Sequence, residues 1–559
     1  MANITETDFT ENILKLKSLV FQFDQSFDKE KTQLLNELIT FRSFKQQSFQ
    51  QFHQLLMAMI AYPSSKALLD TVNSTMQKLV LQLEKNVTLQ NKLIGTGLLH
   101  STIECNFSFP KIMYVTQKFP KQISIHSASS NLETQKSILK LLLPLVEYSK
   151  IFEGEKDLKH RIAQFHSSKT QTDLEWLLQL IQQSNLDVKT QAIIYNQLGI
   201  FIQWKVSDTE YSVSFLRGAA LPIYYHTKPV DKKINLQDII QQKLPNPVKL
   251  SDKDKARIID AAKMTLFYLY RETEPFTNAN KNDITLFQLD KGISIALFGS
   301  NNDKRYSLES YIGYLVFKNN IPASYGGGWI FGERSQFGIN ILESFRGGES
   351  GLIICELLRV YHQYFGATRF VVKPYQFGLH NPEAIKTGAF WFYYKLGFRP
   401  ENKELRELAL EEEKQKLINP NYKSAISTLK KYTKSNLALT LSETSYPNYD
   451  SEVVSQKITS HINSFFNGDR QKAITVCFKQ LKESLSIDLK KWKSEDIEYA
   501  KQLAILFHIN PNSKAWQQKH KKNIQLLIQL KSAKTELPWV KHLQKFDAFW
   551  EYVDSILLL

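Results

Sequence analysis

Apolar residues recur at helical spacing through roughly the first 200 residues, alternate with period two between about 284 and 345, and return to helical spacing beyond 401. The opening stretch predicts helices over Phe9 to Phe23, Lys29 to Leu56, Ser64 to Leu93 and Glu133 to Phe152. In the last of these, Ile138, Leu141, Leu142, Leu145 and Val146 fall on one face, while Pro144 inside the pattern predicts a kink or a break. Gly95 to Ser127 interrupts the helices with Pro110, Pro120 and β-branched residues and has room for a strand or two. Tyr211 to Leu216 reads as a strand, and Pro245-Asn246-Pro247 as a boundary. Beyond 401, helices are predicted over Lys403 to Leu417, Tyr422 to Thr433, Ser451 to Phe466, Ser494 to Phe507, Ser513 to Leu530 and Pro538 to Leu557. Leu437, Leu439 and Leu441 break that pattern and alternate as a strand does.

The region in between changes period. A helix from Asp252 to Arg271, capped by Ser251, precedes strands at Ile284 to Leu289, Ile293 to Phe298, Ser310 to Phe317, Ala323 to Phe331 and Phe337 to Phe345. Short turns between them predict an antiparallel meander. The fifth strand leads through Arg346-Gly347-Gly348-Glu349-Ser350-Gly351 into a helix that ends near Phe365 at Gly366, and Thr368 to Val372 is a further strand. Strand, glycine turn, helix and strand form a parallel βαβ crossover. Asn381-Pro382-Glu383 then opens a helix that runs to Leu396 and stops at Gly397.

Composition sharpens the division. Fifteen of the 21 glycines lie between Gly292 and Gly397, and nine of the 13 arginines between Arg257 and Arg406. With 559 residues, too many for one core, the chain reads as a mostly helical region 1–205, a mixed connecting segment 206–250, an α/β domain 251–400 and a helical region 401–559. The net charge of +16 invites a nucleic-acid partner, but only 13 of the 71 basic residues are Arg and the lysines are scattered among carboxylates. A phosphate-tracking surface needs clusters, so nucleic acid is not an expected partner. Cys105, Cys355 and Cys477 lie too far apart for a disulfide scaffold or a Cys-x-x-Cys site, and no metal is expected. No apolar run approaches the ~18 residues of a membrane span. The opening residues lack the cationic and apolar segments of a signal peptide, so a cytoplasmic location is expected.

The glycine turn is the candidate anion site, although Gly pairs also make ordinary strand-to-helix turns. Backbone N–H groups at a helix N-terminus, with the positive end of the dipole behind them, make an anion site suited to a phosphate or pyrophosphate, and Arg346 adds a cationic fork. The turn is neither a Walker loop, since no Gly-Lys-Ser/Thr follows, nor a Gly-x-Gly-x-x-Gly fingerprint. Antiparallel strands, an Arg-led glycine turn, a helix, a strand and a helix ending Tyr-Tyr-Lys-Leu-Gly-Phe together resemble the GNAT superfamily of acyl-CoA-dependent N-acyltransferases over roughly residues 255–400. Arg346 and Gly351 meet that family's signature Arg/Gln-x-x-Gly-x-Gly/Ala, and Tyr393, Gly397 and Phe398 meet its terminal Tyr-x-x-x-Gly-Phe. The chain departs from the pattern at Glu349, where the family has Gly, and at Asn381, five residues early for the usual Asn. After Gly397-Phe398 a charged helix replaces the closing hairpin, leaving Asn436 to Leu441 as a late strand.

The resemblance implies a GNAT-like mixed sheet with a central βαβ crossover, flanked by largely helical regions. It implies a thioester donor, acyl-CoA or acetyl-CoA, held by Arg346, Gly347, Gly348, Glu349, Ser350 and Gly351, and direct attack on it by an amine. Two central strands are expected to splay near Asn340, Ile341 and Leu342, where backbone N–H groups polarise the thioester carbonyl. Tyr393 is expected to protonate the leaving thiolate, and Glu343 to act as general base directly or through water. Three alternatives stand beside these roles. Tyr393 packs on Phe398 as part of a helix end, Glu343 pairs with Arg346, or the whole module is catalytically silent and its helical flanks bind a protein partner.

Overall fold

The computed structural model describes residues 4–151, 157–166, 170–229, 234–346, 349–442, 449–511 and 517–558. Phe152, Gly347, Gly348 and Ser513 lie outside the described residues. The chain forms two compact units, one of 1–229, 256–273 and 318–322, the other of 230–255, 274–317 and 323–559. Among the described residues, no helix is long and apolar enough to cross a membrane.

In the first unit, the stretch predicted as three helices up to Leu93 is five: Glu6–Leu19, Gln25–Leu38, Gln46–Ala61, Lys66–Glu84 and Val87–Lys92. Polar caps set the breaks; Thr5 and Asp8 form a capping box, and Asp24, Ser65 and Asn86 each accept a first-turn N–H. Strands β1 (Thr102–Asn106) and β2 (Ile123–Ala128) fill the expected interruption, and both pair antiparallel with β3 (Ile200–Lys205), which periodicity had not singled out. Its Ile200, Ile202 and Trp204 are buried at alternate positions, and Trp204 stacks on Phe119 at 4.5 Å. Two expectations fail here. Tyr211 to Leu216 is a turn rather than a strand, because the Phe215 and Leu216 N–H groups both donate to the Ser212 carbonyl. The Leu132–Leu142 helix stops before Pro144, which leaves Leu145 and Val146 78% and 88% exposed instead of on a buried face.

The second unit is built on a mixed eight-stranded sheet. Its strands are β4 (Ala279–Gln288), β5 (Ile293–Ser300), β6 (Ser310–Lys318), β7 (Ile321–Phe331), β8 (Arg334–Ile341), β9 (Arg369–Val372), β10 (Arg399–Pro400) and β11 (Leu437–Thr440). The order is β10-β11-β9-β8-β7-β6-β5-β4. In the meander β4 and β5 are antiparallel, as are β7 and β8; β8 and β9 are parallel across the Ser350–Val360 helix, and the late strand β11 inserts antiparallel between β9 and β10. The expected fifth strand, Phe337 to Phe345, is displaced: β8 begins at Arg334, and Glu343–Phe345 is a 3₁₀ turn. Arg334, at the start of β8, is buried and paired with Asp450 at 2.6 Å. Three glycines in β7 leave room for aromatic side chains; a Cβ on Gly326 would lie 2.4 Å from the Tyr314 hydroxyl.

The C-terminal helices share one apolar core with this sheet. Arg470–Leu485 is a helix that the sequence pattern did not single out, and the predicted Pro538 to Leu557 helix is divided into Leu537–Gln544 and Asp547–Leu558. A buried ionic cluster ties these helices to β4 and β5. Arg305 donates to the carbonyls of Ser300, Lys531 and Ala533 and lies 3.6 Å from Asp283 and 3.7 Å from Glu536, while Lys531 lies 3.3 Å from Glu536. Burial, helped by the like charge of Glu536, pushes Asp283 up to about 7. A carboxyl raised above its unfolded value contributes stability that is full below about 4 and is lost as pH rises through about 7. Denaturant titrations at pH 5 and pH 8 should therefore show a fall in stability with pH that is markedly smaller in Asp283→Asn. An equal fall in parent and variant would exclude Asp283 as its source.

Candidate functional site

The site is made where two parallel strands part. β8 and β9 pair only through Arg334–Arg369, Ser335–Phe370 and Gln336–Val371, because β9 is four residues long and Pro374 soon follows it without an N–H for the ladder. β8 runs on to Ile341 along β7, with nothing of β9 opposite it. The strands thus separate from Phe337 onward, three residues before the expected start of the splay at Asn340. Of the three residues expected there, Leu342 donates its N–H to Ala323 at 2.9 Å on the β7 side, Asn340 offers its carbonyl to Ser324 and Ile341 offers its carbonyl to Arg346.

The N–H that opens into the gap is that of Ile339, and it donates to Gln376 Oε1 at 3.4 Å. A buried donor at a parted ladder must find an acceptor, and this one is a side-chain carboxamide from the Pro374–Phe377 turn. The Tyr393 hydroxyl donates to the same oxygen, also at 3.4 Å. Gln376 fits closely, for a Cβ on Gly338 would come within 3.1 Å of its amide nitrogen. Tyr314 is buried beside this point and donates to the Gly338 carbonyl at 2.7 Å.

Tyr393 is carried by a helix end of defined geometry. The helix expected from Asn381 to Leu396 is two, Pro382–Thr387 and Ala389–Lys395, broken at Gly388 with φ +67°. In the second, Gly397 at φ +97° donates to the Tyr394 carbonyl and Phe398 to the Tyr393 carbonyl, a Schellman motif. The Tyr393 and Phe398 rings meet edge to face at 5.6 Å. The Tyr-x-x-x-Gly-Phe pattern is thus a helix stop whose hydrophobic contact also fixes the tyrosine ring. The ring is 3% exposed, and burial pushes its phenol well above the usual tyrosine range, so it is protonated at neutral pH.

The remaining expected residues stand at other points of the second unit. Glu343 is exposed in the 3₁₀ turn after β8. Arg346 is 58% exposed and pairs at 2.8 Å with Glu383, in the first turn of the Pro382–Thr387 helix, rather than with the side chain of Glu343. Glu349 is 1% exposed at the start of the Ser350–Val360 helix, whose first turn includes Ser350 and Gly351. Among the described residues, a Cβ added at Gly351 would meet only Ile234, at an ordinary 3.6 Å. Gly347 and Gly348 fall outside the described residues. His362 is held at a helix end by the Ala367 carbonyl. Among the described residues, no three His, Cys, Asp or Glu side chains gather as a metal site.

The pattern of residues missed Gln376, Ile339 and Tyr314. Gln376 sits in a Pro-Tyr-Gln-Phe-Gly turn that carries no chemical signature, and its partners are 37 and 17 residues away. The class defined by these observations is a mixed α/β protein with a large sheet and flanking helices. Set against protein-family models, curated proteins and solved structures, the chain matches none.

Proposed function

We propose that the second unit transfers an acyl group from acyl-CoA to an amine by direct attack on the thioester. The observation that carries this reading is the convergence of a strand N–H (Ile339) and a tyrosine O–H (Tyr393) in the gap between β8 and β9. Two fixed donors at one acceptor are what a developing oxyanion requires. The amine nitrogen forms the new C–N bond as the C–S bond breaks. Its proton passes to Glu343 directly or through water, and the sulfur leaves as a thiolate that takes its proton from solvent. With its phenol held above the ordinary value, Tyr393 keeps its proton and donates a hydrogen bond to the developing oxyanion beside the Ile339 N–H. The Ser350–Val360 helix start and Arg346 would hold the donor's pyrophosphate, with Arg346 leaving Glu383 to do so.

One observation favours the second reading, a silent module whose helical flanks bind a protein partner. Buried Glu349 sets a carboxylate at the helix start that would receive the pyrophosphate. CoA affinity separates the two. Under the transfer reading, Arg346→Ala weakens CoA binding by about 1.5 kcal/mol, roughly tenfold, and Glu383→Gln, which frees Arg346, tightens it. Isothermal titration of both variants tests this, and affinities equal to the parent's would remove Arg346 from the donor site.

A further inference from the structure

We infer that the Gln376 carboxamide is a stand-in for the donor's acyl carbonyl: it occupies the carbonyl position of the free protein and swings out when a short-chain thioester arrives. The inference rests on the transfer reading and adds to it a residue and a substrate class.

Three observations carry it. The Ile339 N–H and the Tyr393 O–H, which come from different elements, share one acceptor, and that acceptor is an sp² carbonyl oxygen. Both contacts are long, at 3.4 Å, so the bonds given up on its departure are weak ones. Gln376 is only partly buried, on a turn whose neighbour Tyr375 is exposed and which ends at Gly378 with φ +148°, so its side chain has a way out to solvent. A CH₂–C(=O)–NH₂ terminus also has nearly the shape of CH₃–C(=O)–S. The space it fills is closed on one side by the Gly338 backbone, and Tyr314 and Tyr393 are buried beside it. The group proposed to replace the Gln376 terminus matches it in size, an acetyl or propionyl group rather than a long chain. Gln376 is therefore a gate, in competition with the acyl group and not with the rest of the donor.

The prediction is a difference between two ligands. CoA has no acyl carbonyl and does not compete with Gln376, whereas acetyl-CoA does. In Gln376→Ala, acetyl-CoA should bind about fivefold or more tightly than in the parent, the scale of the weak hydrogen bonds no longer displaced, while CoA affinity stays within about twofold. Gln376→Asn, which keeps the amide but withdraws it by one methylene, should show the same direction and provides the readout if the alanine variant is unstable. Octanoyl-CoA should gain in neither variant. Calorimetric titration of the full chain with these three ligands reads all of this. If CoA binds and acetyl-CoA gains nothing in either variant, or binds more weakly, Gln376 is not a gate and the inference falls while the transfer reading stands. If CoA does not bind the parent, the transfer reading itself falls, and the inference with it.

Discussion

Replacing Tyr393 by phenylalanine should lower the turnover of acyl transfer by ~10²–10³, about 3–4 kcal/mol of barrier, with donor affinity and melting temperature close to those of the parent. The hydroxyl is one of the two donors that meet at Gln376, whereas the ring makes the edge-to-face contact with Phe398 that closes the helix. Phenylalanine removes the first and keeps the second. Tyr393→Ala removes both and should cost several kcal/mol of stability through the cavity as well. Tyr394 is the control: its hydroxyl donates to Glu413 at 2.9 Å, away from the gap, so Tyr394→Phe should retain turnover. Release of free CoA thiol, followed with a chromogenic disulfide at saturating donor, measures all three variants. Full turnover in Tyr393→Phe would leave the tyrosine a packing role only.

The second large effect is on folding. Arg305 is fully buried between Asp283 and Glu536 and holds three backbone carbonyls of β5 and the C-terminal helices. Arg305→Met keeps much of the apolar stem but leaves three buried carbonyls without their donor and sets Glu536 beside an Asp283 already pushed up to about 7, with only Lys531 to balance them. Removing one member of such a cluster strands uncompensated charge, and a loss of about 3–5 kcal/mol is expected in chemical denaturation. A loss under about 1 kcal/mol would mean that the helices are fastened by apolar packing alone.

Much of the second unit was legible in its period. The meander, the crossover through the Ser350–Val360 helix, the Gly366 stop and the late strand at Leu437–Thr440 follow from alternation, helical spacing and glycine at left-handed positions. What escaped has physical causes. The Arg470–Leu485 helix buries Ala473, Cys477, Leu481 and Leu485, a stripe so narrow and partly so small that the lysines around it hide its period. The unbroken apolar run around Phe390 to Tyr394 conceals the break at Gly388, since a left-handed glycine leaves no trace in hydrophobicity. The site divides in the same way. Tyr393 and the glycine turn are local motifs and could be read from neighbours in the chain. Gln376 meets its partners only through the tertiary fold, and Glu349 looks like a helix-start carboxylate until its burial is known.

The pairing of Arg346 with Glu383 and the burial of Glu349 both bear on whether the anion site accepts a ligand at all. That question is decided by one equilibrium measurement, the titration of CoA into the full chain at low and at high ionic strength. The account predicts saturable one-to-one binding in the micromolar range that weakens as salt screens the pyrophosphate from Arg346 and the helix start. No saturation up to about 1 mM CoA at low salt would contradict it and leave the glycine turn an architectural element.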